Sequence, residues 1–186
     1  SIDFKKWFGT KEYPFKEEWL VNDSPTDKIY KNDDDVEMST HPECPKRILE
    51  LSKVHQYDKS KALPKDLANY NIRAYYDNLE YSLSRGNYLY TLYFALQLKN
   101  TEPQNRYLNT VICSSLYNMA YALKNHNFSK YVPMPHPDYD PDLNILITFL
   151  QNINYSDYKQ FIQQFSSLNK GAENPEFEKV SGIYAG

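Results

Sequence analysis

From Pro45 onward the apolar residues of this 186-residue chain recur at intervals of three and four, and no segment sustains the period-two alternation of a half-buried strand. That spacing restricts the fold to helices. Pro45 suits a first helical position, with Ile48, Leu51 and Val54 following at threes, so a short helix is expected to end near His55. After Pro64, a face of Ile72, Tyr75, Tyr76, Leu79 and Leu83 predicts a longer helix that Gly86 stops. Tyr88, Leu89, Leu92, Tyr93 and Leu96 mark a third, closed by Asn100 and Pro103. Leu108, Val111, Ile112, Leu116, Met119 and Leu123 mark a fourth, ending at Asn125 to Asn127.

Pro133, Pro135, Pro137 and Pro141 then form a connector whose fixed φ and missing N–H donors exclude a helix interior. Asp140 before Pro141 reads as an N-cap with proline at the first helical position, opening a helix through Leu143, Leu146, Ile147 and Leu150. Asn154 to Ser156 make a turn, and Tyr158, Phe161, Ile162, Phe165 and Leu168 mark a last helix that Gly171 ends. The fold class expected is all-α: antiparallel helical hairpins in series, because short connections favour antiparallel neighbours. Residues 1–39 differ. Trp7, Phe8, Tyr13, Phe15, Trp19 and Leu20 lie among charges at no sustained period, ahead of the acidic run Asp33 to Asp35, and read as an irregular arm that lies on something. The organisation expected is an arm at 1–39, hairpins at 40–132, a connector with a helix pair at 133–171 and a tail at 172–186.

A formal net charge of −3, with both signs interspersed, leaves no basic stripe to neutralise a run of phosphates, so nucleic acid is not expected as a partner. The longest apolar stretch, around Leu143 to Leu150, is too short for a transmembrane segment. Cys44 and Cys113 are too few for a disulfide framework, lack metal-ligand spacing, and are expected to pack. With only 5 glycines and no nucleophile elbow, neither a phosphate-cradling loop nor a serine or cysteine triad is legible. His136, Asp138, Asp140 and Asp142 alternate within the connector and are candidates for a divalent cation. The expected reading is the plainer one, because Asp140 and Asp142 are well explained by a helix N-terminus and its dipole.

Aromatic content is the departure from ordinary composition, with 18 Tyr, 9 Phe and 2 Trp. Tyrosine supplies contact area at small conformational cost and is enriched in interfaces, so Tyr75, Tyr76, Tyr88, Tyr93 and Tyr117 are candidates for binding a protein or peptide. For any individual ring, core filling is the expectation slightly ahead of binding. Tyr75, Gly86, Tyr88, Ala95 and Pro103 stand where a tetratricopeptide repeat places its aromatic, turn-glycine, small and closing-proline positions, and the segment resembles one such repeat. Asn78, Leu79 and Ser82 depart from that pattern.

One string points toward chemistry. Ser39-Thr40-His41-Pro42, followed by Pro45-Lys46-Arg47-Ile48 and Leu51, presents a histidine on a proline-constrained segment just before a helix, where Thr40 and Glu43 also match a capping box. A histidine there can be an ordinary helix-start residue. The string also resembles the segment that closes the catalytic domain of the HtpX and Oma-type zinc metallopeptidases, a group that includes the CaaX prenyl protease. Envelope members of the BepA kind carry tetratricopeptide-like helices directly after it.

The resemblance implies that this chain is the C-terminal part of a larger protein in the cell envelope or periplasm. Its zinc would be held by an upstream His-Glu-x-x-His helix, and the chain itself has only His41, His55, His126 and His136, none at that spacing. By the same resemblance His41 would complete or cover the zinc site, while Pro42, Arg47 and Ile48 would anchor its helix to the upstream peptidase domain. The arm would be a remnant of that domain or a bridge to it. The chain alone would be non-catalytic, contributing substrate or partner binding and an active-site lid. The competing expectation is a self-standing helical interaction module.

Overall fold

A computed structural model describes residues 1–22, 49 and 65–169, with side chains in the last span from Tyr70 onward. The chain divides into two compact units, Ser1–Asp23 with Asn71–Gly186, and Ser24–Tyr70. In the second only Leu49, which is helical and exposed, and residues 65–70 are described. The helix expected after Pro45, and with it His41, Pro42, Arg47, Ile48, Cys44 and His55, lies outside the described residues.

The described elements are helical, with no strand among them: α1 (Phe4–Phe8), α2 (Lys65–Ser84), α3 (Tyr88–Thr101), α4 (Arg106–Lys124), α5 (Pro141–Asn152) and α6 (Tyr155–Ser167). Short 3-10 turns occupy Glu17–Leu20 and Phe128–Lys130. Five starts share one device. Asp3, Asn87, Asn105, Asp140 and Asn154 each turn a side-chain oxygen onto an orphan N–H of the first turn, and Asn154 completes a capping box with Asp157.

The stops of α2 and α4 also share a form. Gly86 (φ +66°) closes α2 with its N–H on the Leu83 carbonyl (3.0 Å) while the Asn87 N–H reaches the Ser82 carbonyl (2.9 Å). This is a Schellman turn, which needs a left-handed residue that glycine adopts without a Cβ clash. His126 takes the same place after α4 at φ +58°, with its N–H on Leu123 (3.2 Å) and that of Asn127 on Ala122 (2.8 Å). The sequence signals only a helix end at Asn125 to Asn127, because histidine does not announce a left-handed conformation. α6 ends at Ser167 with Leu168 as its cap, ahead of the expected stop at Gly171, which lies outside the described residues.

α3 is buried along most of its circumference, at Leu89, Thr91, Leu92, Tyr93, Ala95, Leu96, Leu98 and Lys99. It packs on α4, which packs in turn on α6. Leu79 and Leu116 are fully buried, and Cys113 packs with its thiol toward the Ile162 carbonyl (3.6 Å).

Residues 1–22 lie on this same core. Phe8 and Trp19 are buried between α5 and α6, with Phe8 at 4.6 Å from Phe149 and 5.0 Å from Phe161, and Trp19 at 5.4 Å from Phe161 (ring centroids). Asn152 Nδ2 donates to the carbonyls of Trp19 (3.2 Å) and Val21 (2.8 Å), Gln164 Nε2 to that of Trp7 (3.0 Å), and Asn100 Nδ2 to that of Ser1 (3.0 Å). Residues 1–22 of what the sequence presents as an arm without a period are structurally a part of the core, with one turn of helix in α1 too short to show periodicity.

Two stability measurements follow from this packing. Phe8→Ala empties a site enclosed by aromatic rings and should lower the unfolding free energy by about 3–5 kcal/mol in urea denaturation, whereas a surface arm would lose less than about 0.5 kcal/mol. His126→Gly relieves the left-handed strain and should raise stability by about 1 kcal/mol. An unchanged or lowered midpoint would refute that account of the turn.

Candidate functional site

The five tyrosines singled out by sequence separate into different environments. Tyr76, on α2, is half-buried and its hydroxyl donates to Glu102 Oε2 (2.6 Å) while accepting from Asn105 Nδ2 (2.8 Å), pinning α2 to the α3–α4 turn. Tyr117 is half-buried against the core. Tyr75 and Tyr93 meet at one open groove of about 240 Å³, lined also by Asn71, Ala74, Asn78 and Phe94. There Tyr75 is exposed and stands edge-on to Phe94 (5.9 Å), and Phe94 lies 5.3 Å from Tyr93. Tyr93 itself is 92% removed from solvent, with Asp140 and Gln97 near its hydroxyl, so it forms the floor of that groove. Tyr88 belongs to a second, larger cleft.

That second cleft, of about 470 Å³, lies where the α2–α3 turn faces the segment after α4, with Arg85, Tyr88, Tyr90, Lys130, Tyr131 and Pro133 on its walls. Tyr88 and Tyr131 pack as a tilted pair 5.3 Å apart. The Arg85 guanidinium lies over the Tyr81 ring (5.6 Å) and Lys130 Nζ over Tyr131 (5.5 Å). Phe94, Arg85, Lys130 and Tyr131 are not among the sequence candidates. Phe94 stands off the apolar stripe of α3, and the others come together only through two turns, for which periodicity gives no signal.

Several tyrosine hydroxyls face carboxylates. Burial, then a hydrogen bond to the neighbouring carboxylate, pushes Tyr13 (on Asp157) and Tyr76 (on Glu102) up to about 12. Burial, then the Asp140 charge, does the same for Tyr93. Tyr107 hydrogen-bonds Glu80 and is raised as well, first by burial. Hydrogen bonds from Tyr76 and Asn105 hold Glu102 below the usual carboxylate range. These pairs tie elements together.

The alternating connector cluster is partitioned. Asn144 holds both the N–H (3.0 Å) and the carbonyl (2.7 Å) of His136, and the Asp138 N–H donates to His136 Nδ1 (3.3 Å). Asp140 caps α5 through the Asp142 N–H (2.9 Å), and Asp142 accepts from Gln97 Nε2 (3.1 Å). Among the described residues no group of three His, Cys, Asp or Glu side chains is placed to hold a metal ion, and no helix is long and apolar enough to cross a membrane. Comparison of the chain with protein-family models, with curated proteins and with solved structures finds no match.

The tyrosine shifts carry a sign. A phenol whose pKa is raised on folding contributes stability that is complete below its ordinary value of 10 and is lost as pH rises toward 12. Urea denaturation across pH 10 to 12 should therefore show stability falling steadily, and Tyr76→Phe should flatten the slope while costing about 1 kcal/mol at neutral pH. A wild-type profile flat over that interval would dismiss the tyrosine–carboxylate pairs as stabilising contacts.

Proposed function

We propose that this chain is a non-catalytic helical domain that binds a protein or peptide, and that its parent is a zinc metallopeptidase. The binding half of the reading rests on the groove where exposed Tyr75 and Phe94 stand over the rigid floor of Tyr93. An aromatic wall on a packed helix pair offers contact area whose rotamers are already fixed, which lowers the entropic cost of association. The antiparallel, tetratricopeptide-like character belongs to this reading. Gly86 at the turn, fully buried Ala95 and Pro103 after α3 support it, since they occupy the places where one such hairpin needs a tight turn, a close helix approach and a stop.

The parent activity rests on Ser39-Thr40-His41-Pro42 and Pro45-Lys46-Arg47-Ile48 preceding a succession of helices. In that parent an upstream His-Glu-x-x-His helix would hold the zinc, which supplies an activated water for peptide hydrolysis. His41 would complete or cover the site, Pro42, Arg47 and Ile48 would seat its helix on the peptidase domain, and the protein would act in the cell envelope. A second reading, a self-standing interaction module, is favoured by the aromatic residues of 1–22, which are buried within the unit they share with α3 to α6.

Peptides selected from a displayed random library on the full chain should lose at least about tenfold in affinity when Tyr75 is replaced by Ala. Recovery of no binder, or of binders indifferent to Tyr75→Ala and Phe94→Ala alike, would remove the groove from consideration. Sequencing the gene upstream of the Ser1 codon separates the two parents: a His-Glu-x-x-His helix supports the peptidase, and a reading frame that opens near Ser1 excludes it.

A further inference from the structure

The cleft at the α2–α3 turn differs from the Tyr75 groove in charge. The chain as a whole is acidic, with 24 Asp and Glu against 21 Lys and Arg, yet the walls of this cleft carry Arg85 and Lys130 and no carboxylate. Neither cation forms an ion pair among the described residues. Each lies over a tyrosine ring, a contact that orients the charge without neutralising it. Beside them the Tyr88–Tyr131 pair forms an aromatic wall, half-buried and therefore fixed in place. The Schellman turn at Gly86 holds Arg85 and Tyr88 in register across one tight turn.

We infer that this cleft binds an acidic peptide segment, with its carboxylates on Arg85 and Lys130 and an intervening apolar or aromatic side chain on Tyr88 and Tyr131. Two cations next to an aromatic wall match a chain that alternates carboxylate and apolar side chains. A nucleic acid would need a run of cations that a chain of net charge −3 does not supply. The inference deepens the proposed function, on which it rests, by giving the bound peptide a chemistry and a second point of attachment.

The test uses the full chain and fluorescence anisotropy of a fluorescein-labelled Glu-Glu-Phe-Glu-Glu peptide, with Lys-Lys-Phe-Lys-Lys as its counterpart. The acidic peptide should bind, more weakly as sodium chloride is raised, and the basic one should not. The double variant Arg85→Ala, Lys130→Ala should weaken binding at least about tenfold. Both side chains lie at the surface, and a circular dichroism melt confirms that the double variant folds. Equal binding of the two peptides, undiminished binding by the double variant, or displacement of the peptide by inorganic phosphate alone at millimolar concentration would overturn the inference. If the acidic peptide fails while a library-selected peptide still binds and responds to Tyr75→Ala, the cleft assignment falls and the peptide-binding reading stands. If no peptide of either kind binds, both fall.

Discussion

Five aromatic rings converge on Phe149: Phe4 at 5.2 Å, Phe8 at 4.6 Å, Phe15 at 6.4 Å, Trp19 at 6.0 Å and Phe161 at 5.8 Å. Four of them come from the first 22 residues and one from α6, so a single side chain on α5 joins distant parts of the chain. Rings of this size bury more area than any aliphatic residue, and their tilted and edge-to-face arrangement adds a further increment per pair. The backbone of the N-terminal segment is secured from the same side by Asn152 and Gln164, each donating to its carbonyls. Without those side-chain amides the segment would bring unsatisfied carbonyls into a partly buried seam.

This packing fixes where binding chemistry can sit. With α3 enclosed by its neighbours, the interior holds side chains in single environments, including two charged ones. Lys99 is 1% exposed, its Nζ donating to the Pro103 carbonyl (2.6 Å) and lying 5.0 Å from the Trp7 ring, and burial lowers its pKa. Asp157 is also 1% exposed, receives the Tyr13 hydroxyl and completes the Asn154 capping box. A buried charge is tolerated when its hydrogen bonds are made, and these two are joined to the N-terminal segment rather than to a cavity. The two clefts instead lie at the α2–α3 pair and at the turns, where helices end and their side chains cannot all be covered.

Helix existence and limits were legible from residues with local consequences: Gly86 as a left-handed stop, Asp140 and Pro141 as a cap and first position, Asn154 as a turn. Leu79 and Leu116, placed inward by spacing alone, are fully buried. Spacing does not separate neighbours on a helix edge. Tyr75 and Tyr76 share the expected face of α2, but the first is exposed and the second is half-buried and pinned by Glu102 and Asn105, residues of the α3–α4 turn. The role of Phe8 and Trp19 was not legible either, because their partners Phe149 and Phe161 are remote in sequence and α1 is a single turn. The cleft at Arg85 and Lys130 shares that cause, since two turns rather than one helix face bring its walls together.

The placement of the N-terminal aromatics bears on how an upstream peptidase domain would engage this one. Read from sequence, Trp7, Phe8, Phe15 and Trp19 suit a bridge onto another domain, since an amphipathic arm without a period has no core of its own. In the structure Trp7, Phe8 and Trp19 are buried and Phe15 packs against the same cluster. Rings already desolvated inside their own unit cannot be desolvated again on a partner, and exposing them would forfeit the packing around Phe149. Any docking of a peptidase domain must therefore use surface that remains wet, and the same requirement holds for a peptide bound by a self-standing module. Among the described residues, the exposed tyrosine groove and the cationic cleft are surfaces that would offer a partner contact area without unfolding the domain that carries them.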